Sequence, residues 1–74
     1  MKERYYTLIG IDPFSQYGEF EIIFGDYSRE VVEAEKEDQQ YSEDYHALNI
    51  ITTSPDQKDI EAKVIELNLK GIKL

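Results

Sequence analysis

The chain contains no cysteine. That excludes disulfide bonds, thiol nucleophiles, CxxC-type zinc sites and covalent haem attachment, and it fits a reducing compartment. Tryptophan is absent as well, and histidine occurs once, at His46. There is no P-loop, no GxGxxG dinucleotide fingerprint, no GxSxG elbow and no HExxH zinc helix. No apolar run approaches the roughly 20 residues needed to cross a bilayer. The start, "MKERYYTLIG", has no clear apolar core or cleavage site of a secretory leader. Basic residues are scarce: 8 Lys and Arg stand against 16 Asp and Glu, a net charge of −8. Such a chain repels phosphate backbones and anionic membrane surfaces. The expectation is a soluble cytoplasmic protein with no direct nucleic-acid binding and no membrane association.

What is present suffices for one small folded domain spanning residues 1–74. Apolar residues make up 41% of the chain, including six Tyr and three Phe, and they are patterned rather than scattered. A core this small gives modest stability.

"RYYTLIGI" (residues 4–11) is aromatic and β-branched, and both of its faces carry bulk, as in a central strand. Asp12-Pro13 opens a turn that Gly18 closes. "EFEIIFGD" (19–26) alternates, with Phe20, Ile22 and Phe24 expected on one side. Residues 4–26 therefore read as a hairpin with a long connection. Asp26 or Ser28 caps a helix in which Tyr27, Val31, Ala34, Asp38 and Tyr41 form the expected inner stripe. A polar link, Ser42–Ala47, leads to a short strand, "LNIITT" (48–53). In "SPDQ" (54–57) Ser54 reads as an N-cap, with Pro55 at the first helical position and Gln57 completing a capping box. Ile60, Val64 and Leu67 then mark the buried side of a second helix, widened by Ala62, Ile65 and Leu69 and ended at Asn68 or Gly71. Ile72–Leu74 reads as a tail or a short extra strand.

The order β-β-α-β-α predicts an α+β fold of two layers: a three-stranded sheet in the order 2-1-3 with both helices on one face. The crossover through the first helix is expected to be right-handed if the strands it joins are parallel.

"FGDYSREVVEAEKED" (24–38), the polar link, "LNIITT" and a closing helix ending "ELN" resemble short proteins from phage and prophage genomes to which no activity is assigned. The likeness spans about residues 4–68, and its most specific part is Gly25-Asp26-Tyr27 followed by Val31, Val32 and the acidic helix. It implies a bacterial or phage setting and carries over no catalytic or binding residue.

Three features could carry function. The first is acidic. Between residues 29 and 45 seven acids face two basic residues. Glu30, Glu33 and Glu37 fall on one helical stripe, with Asp26 at its N-terminal end. Arg29 and Lys36 can pair with Glu33, whereas Glu30 and Glu37 lack such partners. Carboxylates three or four residues apart rise by about 5 Å, near the spacing of phosphates along a strand, so a surface for a basic or nucleic-acid-binding protein is one reading and a solvated face the other. The second feature is the set Tyr5, Tyr6, Tyr17, Tyr27, Tyr41 and Tyr45, too many rings for so small a core; a tyrosine-rich face or a sheet edge would suit a homodimer. The third is the group Asp38, Glu43, Asp44 and His46, which lacks the order of a calcium loop and any nucleophile turn. No metal, cofactor or catalytic residue is assigned. The functional expectation is a non-enzymatic, acidic protein-interaction module, monomeric or homodimeric, with Asp26, Glu30, Glu33 and Glu37 as its partner-binding residues.

Overall fold

The computed structural model describes residues 4–70; the expected tail, Ile72–Leu74, and the helix stop at Gly71 lie outside them. Strand β1 (Tyr5–Ile11) occupies the centre of an antiparallel sheet, flanked by β2 (Phe20–Asp26) and β3 (His46–Thr53). Helix α1 (Arg29–Ser42) joins β2 to β3, and α2 (Gln57–Lys70) closes the chain. The α+β class, the β-β-α-β-α order and the 2-1-3 sheet agree with the sequence reading. The β1–β2 connection folds as expected too: Asp12 accepts the Phe14 N–H on Oδ1 and the Ser15 N–H on its carbonyl, each at 2.9 Å.

The helices, however, do not share a face. In β1 the four consecutive residues Thr7, Leu8, Ile9 and Gly10 are all buried. Successive strand residues point to opposite sides, so both sides must be covered. On one side Ile9, Phe20 and Ile51 pack with Val64 and Leu67 of α2, with Ile11 and Ala47 at the margin. On the other lies Leu8, between Phe24 and Ile50 in the register. Leu8 and Val32 of α1 are both fully buried yet stand outside that cluster. Helix α1 lies against all three strands, and α2 against β2 and β3. The arrangement is helix, sheet, helix, not two layers. The bulk on both faces of β1 is what demands two covers.

The expected alternation in β2 is broken by a bulge. The register steps from Leu8↔Phe24 to Ile9↔Ile22, so Ile23 is the extra residue. Phe24 is thereby carried to the face of Leu8, away from Phe20, and Ile22 is left 45% exposed. Strand β3 begins two residues earlier than expected. Ala47 adopts φ 51° and the register shifts there, letting His46 pair with Ile11. Gly10 faces this region. A Cβ there would lie 2.9 Å from both Ile23 Cδ1 and Leu48 Cδ2.

Helix α2 buries Ile60, Val64 and Leu67 as predicted, but Ile65 and Leu69 are exposed. Its N-terminus differs from the expected capping box. Asp56 makes the cap: its Oδ1 accepts the Lys58 N–H at 3.0 Å, and its carbonyl accepts from Asp59 and Ile60. Ser54 instead donates to the Asp59 carboxylate and accepts a long 3.4 Å bond from the Asp56 N–H. Asn68 lies within the helix rather than ending it. Its side chain ties α2 to β2, accepting the Phe20 N–H at 2.8 Å and donating to the Phe20 carbonyl at 3.5 Å.

Candidate functional site

The rotation of α1 decides which of its residues can meet a partner. Val32 is fully buried, and Glu35, Lys36 and Gln39 are half-buried. These four, at i, i+3, i+4 and i+7, form the inner face. The stripe expected inside is outside: Tyr27, Val31, Ala34, Asp38 and Tyr41 are all exposed, Tyr41 at 94%. Two contacts at the helix start hold this rotation. Tyr27 meets Tyr5 edge-to-face with centroids 5.0 Å apart, and the Arg29 guanidinium lies 6.0 Å from the Tyr6 ring centroid. Ser28 occupies the N-cap position with extended backbone but makes no side-chain cap bond.

At 100° per residue, Glu30, Glu37 and Tyr41 project opposite Val32, with Glu33 on one flank and Val31 and Asp38 on the other. Glu30, Glu33 and Glu37 are all exposed. Glu33 accepts from Arg29 Nε at 3.3 Å, both side chains more than half exposed. A pair so open to water contributes about 0–1 kcal/mol. Lys36 is turned toward the sheet, and among the described residues Arg29–Glu33 is the only ion pair on α1. Asp26 stands apart. It is half-buried at the end of β2, opposite Tyr6, and its Oδ1 accepts the Tyr27 N–H at 2.6 Å. One oxygen of this carboxylate is thus committed to the turn that feeds the helix. The three glutamates share one exposed surface, and Asp26 supports its entry.

The polar group near His46 resolves differently. Gln40, Glu43, Tyr45, His46, Ala47 and Leu48 line an open cleft of about 620 Å³ where α1 ends and β3 begins. Glu43 ends α1 in the left-handed region at φ 60°, its N–H donating to the Gln39 carbonyl at 3.1 Å. Glu43 and Ala47 are the two non-glycine residues with positive φ among those described, and both line the cleft. Asp38 is exposed and does not line it. No three of the described acidic and histidine side chains gather closely enough to hold a metal ion. The sequence drew attention to Glu43 and His46, and to Tyr45 as one of the tyrosines, but not to Gln40 or Leu48. Nothing in "SEDYHALN" announces a left-handed alanine.

Of the six tyrosines, Tyr17, Tyr27 and Tyr41 are exposed, while Tyr5, Tyr6 and Tyr45 are half-buried. No helix among the described residues is long and apolar enough to cross a membrane. Compared with protein-family models, curated proteins and solved structures, the chain gives no match.

Proposed function

We propose that the protein is a non-enzymatic interaction module, of a phage or bacterial setting, whose α1 outer face engages a basic protein such as a nucleic-acid-binding one. The observation that carries this reading is the joint exposure of Glu30, Glu33 and Glu37, with Arg29 the one cation paired to them among the described residues. Exposed Tyr41 and Val31 beside them supply apolar contact area. Carboxylates steer a basic partner and set its register, while a ring at the centre of an interface carries much of the affinity.

Reversal of all three charges (Glu30→Lys, Glu33→Lys, Glu37→Lys) tests it. Capture of basic proteins from a bacterial lysate is expected to be lost, with helix content by circular dichroism unchanged. Capture by the parent is expected to weaken as salt rises, since exposed charges are screened over about 10 Å at 0.1 M. Identical capture by parent and variant overturns the reading.

A second reading is a homodimer through a sheet edge. The order β2-β1-β3 leaves β3 as an outer strand, and its stretch Ala47–Thr53 carries no charge. Uncharged edges invite pairing with another chain. Sedimentation equilibrium separates the two, because a dimer of the parent that survives charge reversal favours the edge.

A further inference from the structure

We propose that the cleft between the end of α1 and the start of β3 binds a guanidinium group, the side chain of an arginine on the basic partner. The identity of that partner rests on the reading above; the chemistry of the cleft is argued from the cleft itself.

Its position is electrostatically one-sided. It opens at the C-terminal end of α1, where the last carbonyls of a helix lack intrahelical partners and carry partial negative charge. The last turn of α1 holds no basic residue to offset that charge. Among the described residues the lining holds one carboxylate, the exposed Glu43, one imidazole, His46, and no Lys or Arg. An anion would be repelled here, whereas a cation gains from both the carboxylate and the helix end. A metal ion would find too few charged ligands.

The lining also selects among cations. Tyr45, half-buried, offers a ring, and the Gln40 amide an acceptor oxygen. A guanidinium is planar, stacks on an aromatic face and donates a fork of N–H groups to a carboxylate, whereas an ammonium is a compact, strongly hydrated point charge. Leu48 and Ala47 provide an apolar wall for the methylene stem. The cleft is bracketed by backbone that a non-glycine residue adopts at a cost, at Glu43 and at Ala47. These two residues turn the chain out of α1 and into β3, and so shape the walls.

The test is a titration of the isotope-labelled full chain, followed by amide chemical shifts, with blocked arginine (N-acetyl-arginine amide) and with the neutral near-isostere N-acetyl-citrulline amide. Saturating shifts are expected at Gln40, Glu43 and Tyr45–Leu48 with arginine, and at least about tenfold weaker binding of citrulline. Glu43→Gln is expected to lower arginine affinity by about tenfold, while Tyr45→Phe, which keeps the ring, retains it. Equal binding of arginine and citrulline overturns the proposal. So does an arginine response confined to residues 30–37 with none in the cleft, or an undiminished affinity in Glu43→Gln. Failure of the cleft is distinguishable from failure of the acidic face: the first is read with blocked arginine alone, the second by capture with the charge-reversed variant, whose cleft residues are unaltered.

Discussion

The two helices have equal length, 14 residues each, and cover opposite faces of one sheet, yet they do it by different means. Helix α2 inserts Ile60, Val64 and Leu67, and meets Ile9, Phe20 and Ile51. Helix α1 inserts Val32 alone; the rest of its inner face is the half-buried Glu35, Lys36 and Gln39, long side chains of the kind that bury their stems while their polar ends reach water. The difference assigns the helices different roles. Helix α2 holds the fold together. Helix α1 is a cover whose remaining apolar residues and most of whose acids lie on the outside.

The sharpest break of this comparison is a pair of core truncations. Leu67→Ala is expected to cost about 2–5 kcal/mol, and Val32→Ala about 1.5–2 kcal/mol, from lost burial and the cavity left behind. In a domain this small the first removes much of the total stability. Val31→Ala, on the exposed side of the neighbouring position, is expected to change little. Urea unfolding midpoints order the three variants. A cost for Val31→Ala above that for Val32→Ala would mean that α1 packs in the register its sequence first suggests.

That contrast also explains what was legible beforehand. In α2 Ile60, Val64 and Leu67 could be read directly, but the expected widening through Ala62, Ile65 and Leu69 faces water instead. In α1 Val31 and Val32 are adjacent, and each anchors its own stripe about 100° apart. The stripe through Val31 collects Tyr27, Ala34 and Tyr41 and looks the more apolar. The one through Val32 wins because Tyr5 and Tyr6 engage Tyr27 and Arg29 at the helix entrance, a tertiary contact that periodicity does not contain. The 2-1-3 order was expected because it makes every adjacent pair antiparallel, and the sheet has that order. The helices were expected on one face, although Leu8 and Ile9 pointing to opposite sides called for a cover on each. The acidic face was visible as a charge run. The cleft was not, since it depends on two left-handed residues, neither of them glycine.

A smaller effect is expected at the start of α2. "SPDQ" holds two candidate caps two residues apart, and the bond to Lys58 selects Asp56. Asp56→Ala is expected to cost about 1 kcal/mol, with Asp56→Asn recovering most of it. Ser54→Ala, which removes an exposed contact to Asp59, is expected to cost less. Reversal of that order in thermal unfolding would restore the capping box to Ser54.

The smallest effect concerns surface charge and sharpens the comparison at the other end of α2. Glu66 receives hydrogen bonds from Lys70 Nζ at 2.9 Å and Lys63 Nζ at 3.5 Å. The bond from Lys70 above all, and then the nearby positive charge of Lys63, hold its carboxyl below the usual glutamate range. A carboxylate whose pKa is lower in the folded than in the unfolded chain stabilises the fold above its unfolded value. It loses that contribution as pH falls through the folded value. The contribution of Glu66 is therefore complete above its unfolded pKa and fades below it. Lys70→Met is expected to raise the Glu66 titration midpoint, followed by side-chain carbon shifts, back toward the usual range. The stability gap between parent and Lys70→Met should be present at neutral pH and close in acid. A midpoint unmoved by Lys70→Met would mean that the pair is not formed in solution.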